Sequence, residues 1–273
     1  MNKINYFLNF PTYNLQIKYP LKNEKYYNDN NASKLFFKEI VEKYKGYCPY
    51  CGEKITTRSS SYDREHLIEK KQNNIELMYL VHCKYNLCIS CKKCNGLKKN
   101  NLKYINETFQ NEEFYSEYCQ NNNCSTMCDF YKKVYKDYVL KNKVILQPHG
   151  VYNRYTKNIL KINYNIKEKI FLPDNSINYN EEELNCINAH IKKFCLNIPD
   201  KKPTALNRIV NICYLFLTAN KKAIESKDDI LLEDETNHDN ILDLIFINYL
   251  FTLNFTQQYI LVRELFCEYK KFG

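Results

Sequence analysis

The sequence contains no tryptophan, only five glycines, and only five arginines among its 40 basic residues. Glycine lets a backbone approach a bound phosphate closely, and the chain has neither a Gly-x-Gly-x-x-Gly string nor a Gly-Lys-Ser/Thr string. A glycine-rich dinucleotide-binding loop and a P-loop are therefore excluded. If ATP hydrolysis drives this protein, we expect another chain to carry it out.

Long hydrophobic runs are also absent. The nearest candidate, residues 241–255, spans 15 residues and contains Asp243, Asn248 and Asn254. It is shorter than the ~20 apolar residues that cross a bilayer, so we expect a buried helix there. The N-terminus lacks a charged region followed by an apolar stretch, which argues against a signal peptide. We expect a cytoplasmic, prokaryotic protein whose cysteines stay reduced.

The charge is distributed unevenly along the chain. Residues 48–104 hold nine lysines and two arginines against five acids, an excess of six out of a total net charge of +9. Such a basic block suits contact with phosphates, although a solvated lysine-rich surface explains the charge equally well. Residues 223–243 hold eight acids and one lysine. They read as a solvated loop and helix start, or as a surface that docks a partner.

The pattern of apolar residues predicts an α+β protein that is mostly helical. Hydrophobic residues make up 44% of the chain, which is a globular composition. Asn180, followed by three glutamates, marks a helix start because it can cap the free amides. Periodic apolar residues predict further helices, and 151–180 carry alternating runs that suggest a hairpin. The predicted helices lie at 32–44, 104–146, 181–198, 203–220 and 239–271 (one long or two short).

Two cysteine pairs dominate the sequence between residues 47 and 104. Cys48 and Cys51 form a Cys-x-x-Cys pair followed by Gly52, and Cys91 and Cys94 form a second pair. Two such pairs in a reduced compartment predict a tetrahedral zinc site with four thiolate ligands. Free core cysteines and a redox pair are the alternatives. Since four cysteine ligands leave no open position for water, the zinc is expected to be structural.

The remaining cysteines leave a second question open. A second metal site and buried reduced cysteines are both compatible with their spacing. The cysteines concerned are Cys83, Cys88, Cys119, Cys124 and Cys128.

Polar residues with catalytic chemistry lie in and just after the segment between the two pairs. His66 titrates near neutrality and can serve as a general base. Glu65 and Asn95 offer hard oxygen ligands for one Mg²⁺ or Mn²⁺. Asn86 and Lys98 complete the set. In a strand, adjacent side chains point to opposite faces, so Glu65 and His66 can converge only at a strand end or turn.

The order of these motifs resembles the HNH endonucleases with a ββα-metal fold, over about residues 47–100. It is most similar to the Septu-type PtuB and retron-associated HNH proteins of anti-phage defence. The sequence departs from that group at 67–70, where Leu-Ile-Glu-Lys replaces Phe-x-Pro-Lys, and at Tyr85, where a tryptophan is common.

The resemblance implies roles for individual residues and for the chain. Asn86 would hold a loop and orient His66, and Lys98 or Lys99 would neutralise the scissile phosphate. The chain would be a small ββα-metal HNH core with a zinc knuckle (47–104), embedded between an N-terminal extension and helix (1–46) and a helical region (105–273). That helical region would dock an ATPase partner similar to PtuA, in a system with or without a retron.

The expected activity is metal-dependent hydrolysis of DNA phosphodiester bonds, giving 5′-phosphate and 3′-hydroxyl ends. Two alternatives are a zinc-knuckle adaptor that binds nucleic acid without catalysis and an RNA-cleaving toxin. A binding knuckle requires none of Glu65, His66, Asn86 and Asn95, so their joint presence favours an enzyme.

Overall fold

The computed structural model describes residues 4–11, 31–55, 62–68, 71–72, 75–76, 81, 86–98, 160–198, 204–230 and 240–270. In chain order, the strands are β1 (Phe7–Asn9), β2 (Tyr62–His66), β3 (Lys71–Gln72), β4 (Ile75–Glu76), β5 (Leu87–Cys91), β6 (Ile162–Asn165) and β7 (Ile170–Pro173). The helices are α1 (Asn31–Lys43), α2 (Lys92–Lys98), α3 (Glu181–Lys193), α4 (Thr204–Asn220), α5 (Ile241–Phe251) and α6 (Phe255–Lys270).

These elements make an α+β fold of helices and small antiparallel sheets, as the sequence predicts. One sheet has the order β1-β6-β7, and the β6–β7 hairpin lies inside the segment where the sequence predicts one. Strand β1 joins that hairpin from the far end of the chain, with Leu8 opposite Tyr164. Its three residues are too few to show an alternating pattern in the sequence.

The second sheet carries the residues of interest. Strand β2 pairs antiparallel with β5, so that Tyr62 lies opposite Cys91 and His66 opposite Leu87. Helix α2 follows β5 without a break and packs against both strands. Helix α1 packs against β5, with Phe37, Ile40 and Val41 among its buried residues.

The C-terminal helices pack against the three-stranded sheet and against one another. Helix α3 packs against β7, α4 against α6, and α5 against both β1 and α4. Helix α5 is mostly apolar and more than half of its residues are buried, which confirms the buried helix expected there. The region 239–271 forms two helices, since α5 ends at Phe251 and α6 begins at Phe255.

Local sequence signals place most helix starts correctly. Asn180 caps α3 in a capping box, in which its side chain accepts from Glu183 N–H and the Glu183 side chain accepts from Asn180 N–H. Helix α3 ends at Lys193 rather than near Ile198, because Cys195 adopts a left-handed conformation (φ 53°). In α1, Leu35 is 65% exposed and Phe37 takes the buried position instead.

Several predictions lie outside the described residues. They are the helical patterns at 104–146, the roles of Lys99, Cys83, Cys119, Cys124 and Cys128, and residues 231–239 of the acidic stretch. The domain boundaries also stay predictions.

Candidate active site and metal centre

The two cysteine pairs occupy different kinds of local structure. Cys48 and Cys51 lie in a tight turn after α1, closed by a hydrogen bond from Gly52 N–H to the Cys48 carbonyl at 2.8 Å. Gly52 adopts φ 75°, a left-handed conformation that favours glycine. Cys91 ends β5 and Cys94 lies in α2, so the second pair spans a strand-to-helix junction.

The fold brings all four cysteines together. Their sulfur atoms are buried and lie within 4.8 Å of one another, and the Sγ atoms of Cys51 and Cys91 are 3.7 Å apart. Four sulfurs bound tetrahedrally to one zinc at about 2.3 Å lie roughly 3.8 Å apart. The N–H groups of Cys91 and Cys94 donate to the sulfurs of Cys48 and Cys91, both at 3.4 Å. This cluster can hold a metal ion such as zinc.

The cysteines of the cluster also shift one another's ionisation. Hydrogen bonds from the thiols of Cys48, Cys51 and Cys94 hold the pKa of Cys91 well below its usual range. Hydrogen bonds to Cys48 are the first cause that raises the pKa values of Cys51 and Cys94, and burial adds to both. In the metal-free cluster, ionisation is therefore favoured at Cys91 and disfavoured at Cys51 and Cys94.

Glu65 is the buried carboxylate at the centre of the predicted site. Its Oε1 accepts a hydrogen bond from the Tyr50 hydroxyl at 2.5 Å, and its Oε2 lies 3.4 Å from the Lys98 ammonium. The side chains of Lys98 and Glu65 are only 1% and 2% exposed. Because an unpaired buried charge is costly, this pairing explains how both residues are accommodated.

Lys98 makes a second inward contact. Its ammonium donates to the backbone carbonyl of His66 at 2.5 Å and also lies 5.8 Å from the centre of the Tyr50 ring. The Lys98 ammonium therefore contacts both the Glu65 carboxylate and the backbone of His66. The role at a phosphate that the resemblance implies stays a prediction.

Asn95 lies on α2 facing β2. Its Nδ2 donates to Oδ2 of Asp63 at 2.7 Å, and both residues are partly exposed. Asp63 and Glu65 are two positions apart on β2, so they share one face of the strand. Because the amide nitrogen of Asn95 is engaged by Asp63, its oxygen is the atom left to act as an acceptor or a ligand. Glu65, Asp63 and Asn95 carry hard oxygen donors, the atom type that Mg²⁺ and Mn²⁺ prefer. A catalytic cation at these residues stays a prediction.

His66 is the last residue of β2, at a strand end as the sequence argument requires. Its Nε2 lies 3.0 Å from the backbone carbonyl of Val81. A carbonyl only accepts hydrogen bonds, so Nε2 carries the proton, and in the neutral ring the lone pair is on Nδ1.

Asn86 holds the turn that follows His66. Its side chain accepts from the N–H of Ile68 at 2.7 Å and donates to the carbonyl of the same residue at 2.8 Å. Its own carbonyl accepts from Leu67 N–H at 2.7 Å. These three hydrogen bonds hold the backbone of Leu67 and Ile68 against Asn86.

Residues of the C-terminal helical region pack against the turn that carries Cys48 and Cys51. The sequence did not suggest these contacts. The Tyr50 ring stacks on Phe194 at 4.8 Å, and His190 Nε2 lies 3.3 Å from the Tyr50 carbonyl. Asn240 Nδ2 donates to the Cys51 carbonyl at 3.1 Å. His190 is fully buried beside Tyr50.

Sequence reasoning also missed Tyr50 and Asp63. The available signals were a tyrosine inside a cysteine pair and an acid two positions before Glu65. Cys88 is buried on β5, with its Sγ 3.8 Å from the Tyr44 hydroxyl, and among the described residues it is not part of the metal-binding cluster.

In comparisons with known proteins, no family model, curated protein or solved structure matches this chain. Among the described residues, no helix combines the length and apolarity needed to cross a membrane.

Proposed function

We propose that this protein is a metal-dependent endonuclease of the HNH type that hydrolyses DNA phosphodiester bonds. The observation that carries the proposal is the unit formed by β2, β5 and α2. It sets His66 at the end of β2, with Glu65 beside it and Asn95 on the facing helix.

His66 acts as the general base. The Val81 carbonyl fixes the tautomer in which Nε2 is protonated, so Nδ1 accepts the proton of the attacking water. Asn86 supports this role indirectly, because it holds the backbone of Ile68, two residues beyond the base.

Glu65 and Asn95 supply the oxygen ligands for the catalytic cation, and Asp63 directs the Asn95 oxygen through its hydrogen bond to the amide nitrogen. When bound, Mg²⁺ or Mn²⁺ stabilises negative charge on the scissile phosphate and on the leaving 3′-oxygen. Lys98 partly neutralises Glu65 and fixes the backbone at His66.

The four-cysteine cluster holds a structural zinc ion in this proposal. Its ligands come from the turn after α1 and from the β5–α2 junction, so one ion fixes the position of the helix that carries Asn95. The turn that carries Cys48 and Cys51 also contacts α3 and the residue that precedes α5.

The biological setting is proposed from the sequence resemblance. The chain would be the nuclease effector of an anti-phage defence system, and its helical region would dock an ATPase partner. Co-purification of the chain with the products of neighbouring genes tests this part separately from the chemistry.

Plasmid nicking in Mg²⁺ or Mn²⁺ tests the activity. We expect the wild type, alone or with its genomic neighbours, to nick DNA, and His66→Ala to lose at least about a hundredfold in rate, the usual contribution of a general base. Asn188→Ala, on the exposed side of α3, is the control and should keep the wild-type rate.

The same assay separates the alternatives. An inert wild type that still binds DNA would support the adaptor, and cleavage of RNA but not DNA would support the toxin. If His66→Ala cuts as fast as the wild type, the assignment of the base is wrong even though the enzyme class survives.

A further inference from the structure

Tyr50 connects the cysteine cluster to the candidate catalytic centre. It lies between Cys48 and Cys51, and its hydroxyl group donates to Oε1 of Glu65 at 2.5 Å. Glu65 lies 15 positions further along the chain, on β2. A single side chain thus reaches from the knuckle to the carboxylate that we assign to the cation.

Both the backbone and the ring of Tyr50 are held in place, and together they fix the position of its hydroxyl group. The backbone of Tyr50 belongs to the turn that presents two of the four sulfurs. Its ring is fully buried and stacks on Phe194, with an interplanar angle of 25°. Because a buried ring that is held by its backbone turn and by Phe194 does not change rotamer freely, the hydroxyl group stays in place to donate to Glu65.

We infer that Tyr50 is a positioning residue, which holds the Glu65 carboxylate in the orientation that binds the catalytic cation. This inference rests on the proposed function. A carboxylate has about four lone-pair sites, and Tyr50 and Lys98 each occupy one, on different oxygens. Two such contacts fix the rotation of the carboxylate and leave lone pairs for a cation.

A ligand held in its binding orientation loses less conformational freedom when the cation arrives. Tyr50 therefore acts on cation affinity and touches neither the water nor the phosphate. The cluster acts through the same route, because it sets the turn that carries Tyr50.

Binding of Mn²⁺ to the zinc-loaded, full-length protein, followed by electron paramagnetic resonance, tests the inference. Tyr50→Phe removes only the hydroxyl group and keeps the ring against Phe194. We expect Mn²⁺ affinity to fall roughly tenfold, the fold-change typical for the loss of one hydrogen bond to a charged group. The zinc content should not change.

The matched control is Tyr44→Phe. Tyr44 is also fully buried, and its hydroxyl group lies 3.8 Å from the Sγ atom of Cys88 on β5. The Tyr44→Phe variant should bind Mn²⁺ within about twofold of the wild type.

In the nicking assay, Tyr50→Phe should need more Mn²⁺ for half-maximal rate but recover most of the wild-type rate at saturation. A purely structural defect would not be rescued by metal.

Each outcome decides a different statement. If Tyr50→Phe binds Mn²⁺ as tightly as the wild type, the inference is wrong, whether or not the protein cuts DNA. A wild type that binds Mn²⁺ more tightly than Tyr50→Phe but cuts no nucleic acid supports the positioning role and overturns the nuclease. A wild type that binds no Mn²⁺ overturns both.

Discussion

The side chain of Asn86 forms a two-way pair of hydrogen bonds with the backbone of Ile68. The Ile68 N–H donates to Oδ1 at 2.7 Å, and Nδ2 donates to the Ile68 carbonyl at 2.8 Å. The pair is buried and lies two residues beyond His66. Asn86 therefore fixes the chain as it leaves the strand that carries the candidate base.

Asn86→Ala should destabilise the protein by about 2–4 kcal/mol, because a buried N–H and a buried carbonyl each lose their partner, at about 1–3 kcal/mol per group. Urea unfolding of the zinc-loaded protein measures the change. Asn188→Ala, on the exposed side of α3, should stay within about 0.5 kcal/mol of the wild type. A loss below about 1 kcal/mol in Asn86→Ala would mean that water replaces the lost contacts.

Gly52→Ala and Gly96→Ala should change stability in opposite directions. A Cβ at Gly52, where φ is 75°, would lie 2.7 Å from Asn240 Oδ1 and 2.8 Å from Ile241 Cγ2. Left-handed strain and overpacking together predict a loss of about 2–4 kcal/mol. A Cβ at Gly96, within α2, meets nothing within 4 Å. Its replacement should therefore stabilise the helix by about 0.5–1 kcal/mol.

Urea unfolding of both variants provides the comparison. If Gly52→Ala does not change the free energy of unfolding, the start of α5 can move away from the Cys48–Cys51 turn at little cost. The contacts between that turn and α5 would then contribute little to stability.

Zinc binding should release at least two protons per ion between pH 6 and 8. The pKa values of Cys51 and Cys94 are raised above the ordinary thiol value of about 8.5, so both thiols keep their protons in this window, whereas the pKa of Cys91 is held well below its usual range. Since zinc binds thiolates, a falling pH opposes binding, and the apparent binding constant should rise at least about a hundredfold from pH 6 to pH 7.

Calorimetric titration of zinc in buffers of different ionisation enthalpy counts these protons. Cys213→Ser is a control outside the cluster; burial raises the pKa of Cys213 to about 12, so its thiol does not ionise in this window. The count should be the same as in the wild type. Release of fewer than one proton would contradict the thiol state assigned to Cys51 and Cys94.

Asp63→Ala should raise the Mn²⁺ concentration for half-maximal DNA cleavage by roughly tenfold. The Asn95 amide loses its acceptor and is free to rotate, so its oxygen no longer has a fixed direction. Asp63→Asn keeps an acceptor oxygen but removes the charge, and its value should lie between those of the wild type and Asp63→Ala. An unchanged metal requirement in Asp63→Ala would show that Asp63 does not direct Asn95.

Local signals in the sequence predicted where helices lie better than they predicted the residues at which the helices end. Asn180 and its three glutamates determine the start of α3 because capping uses neighbouring residues only. The end of α3 depends on the left-handed Cys195, a position without a glycine to announce it. The pairing of β1 could not be predicted from local signals, because its partner lies more than 150 positions away, at Asn163–Asn165.

The sequence by itself determined which residues meet at the cluster, because two Cys-x-x-Cys pairs are short enough to present their sulfurs to one point. It also singled out Glu65, His66, Asn86, Asn95 and Lys98 as the residues with useful chemistry. Only the tertiary structure decided that Lys98 is buried on Glu65, that Tyr50 holds the same carboxylate, and that Asn240 grips the knuckle from 189 positions away. The physical reason is that burial and long-range hydrogen bonds belong to the packed chain, since they depend on which surfaces meet after the elements have formed.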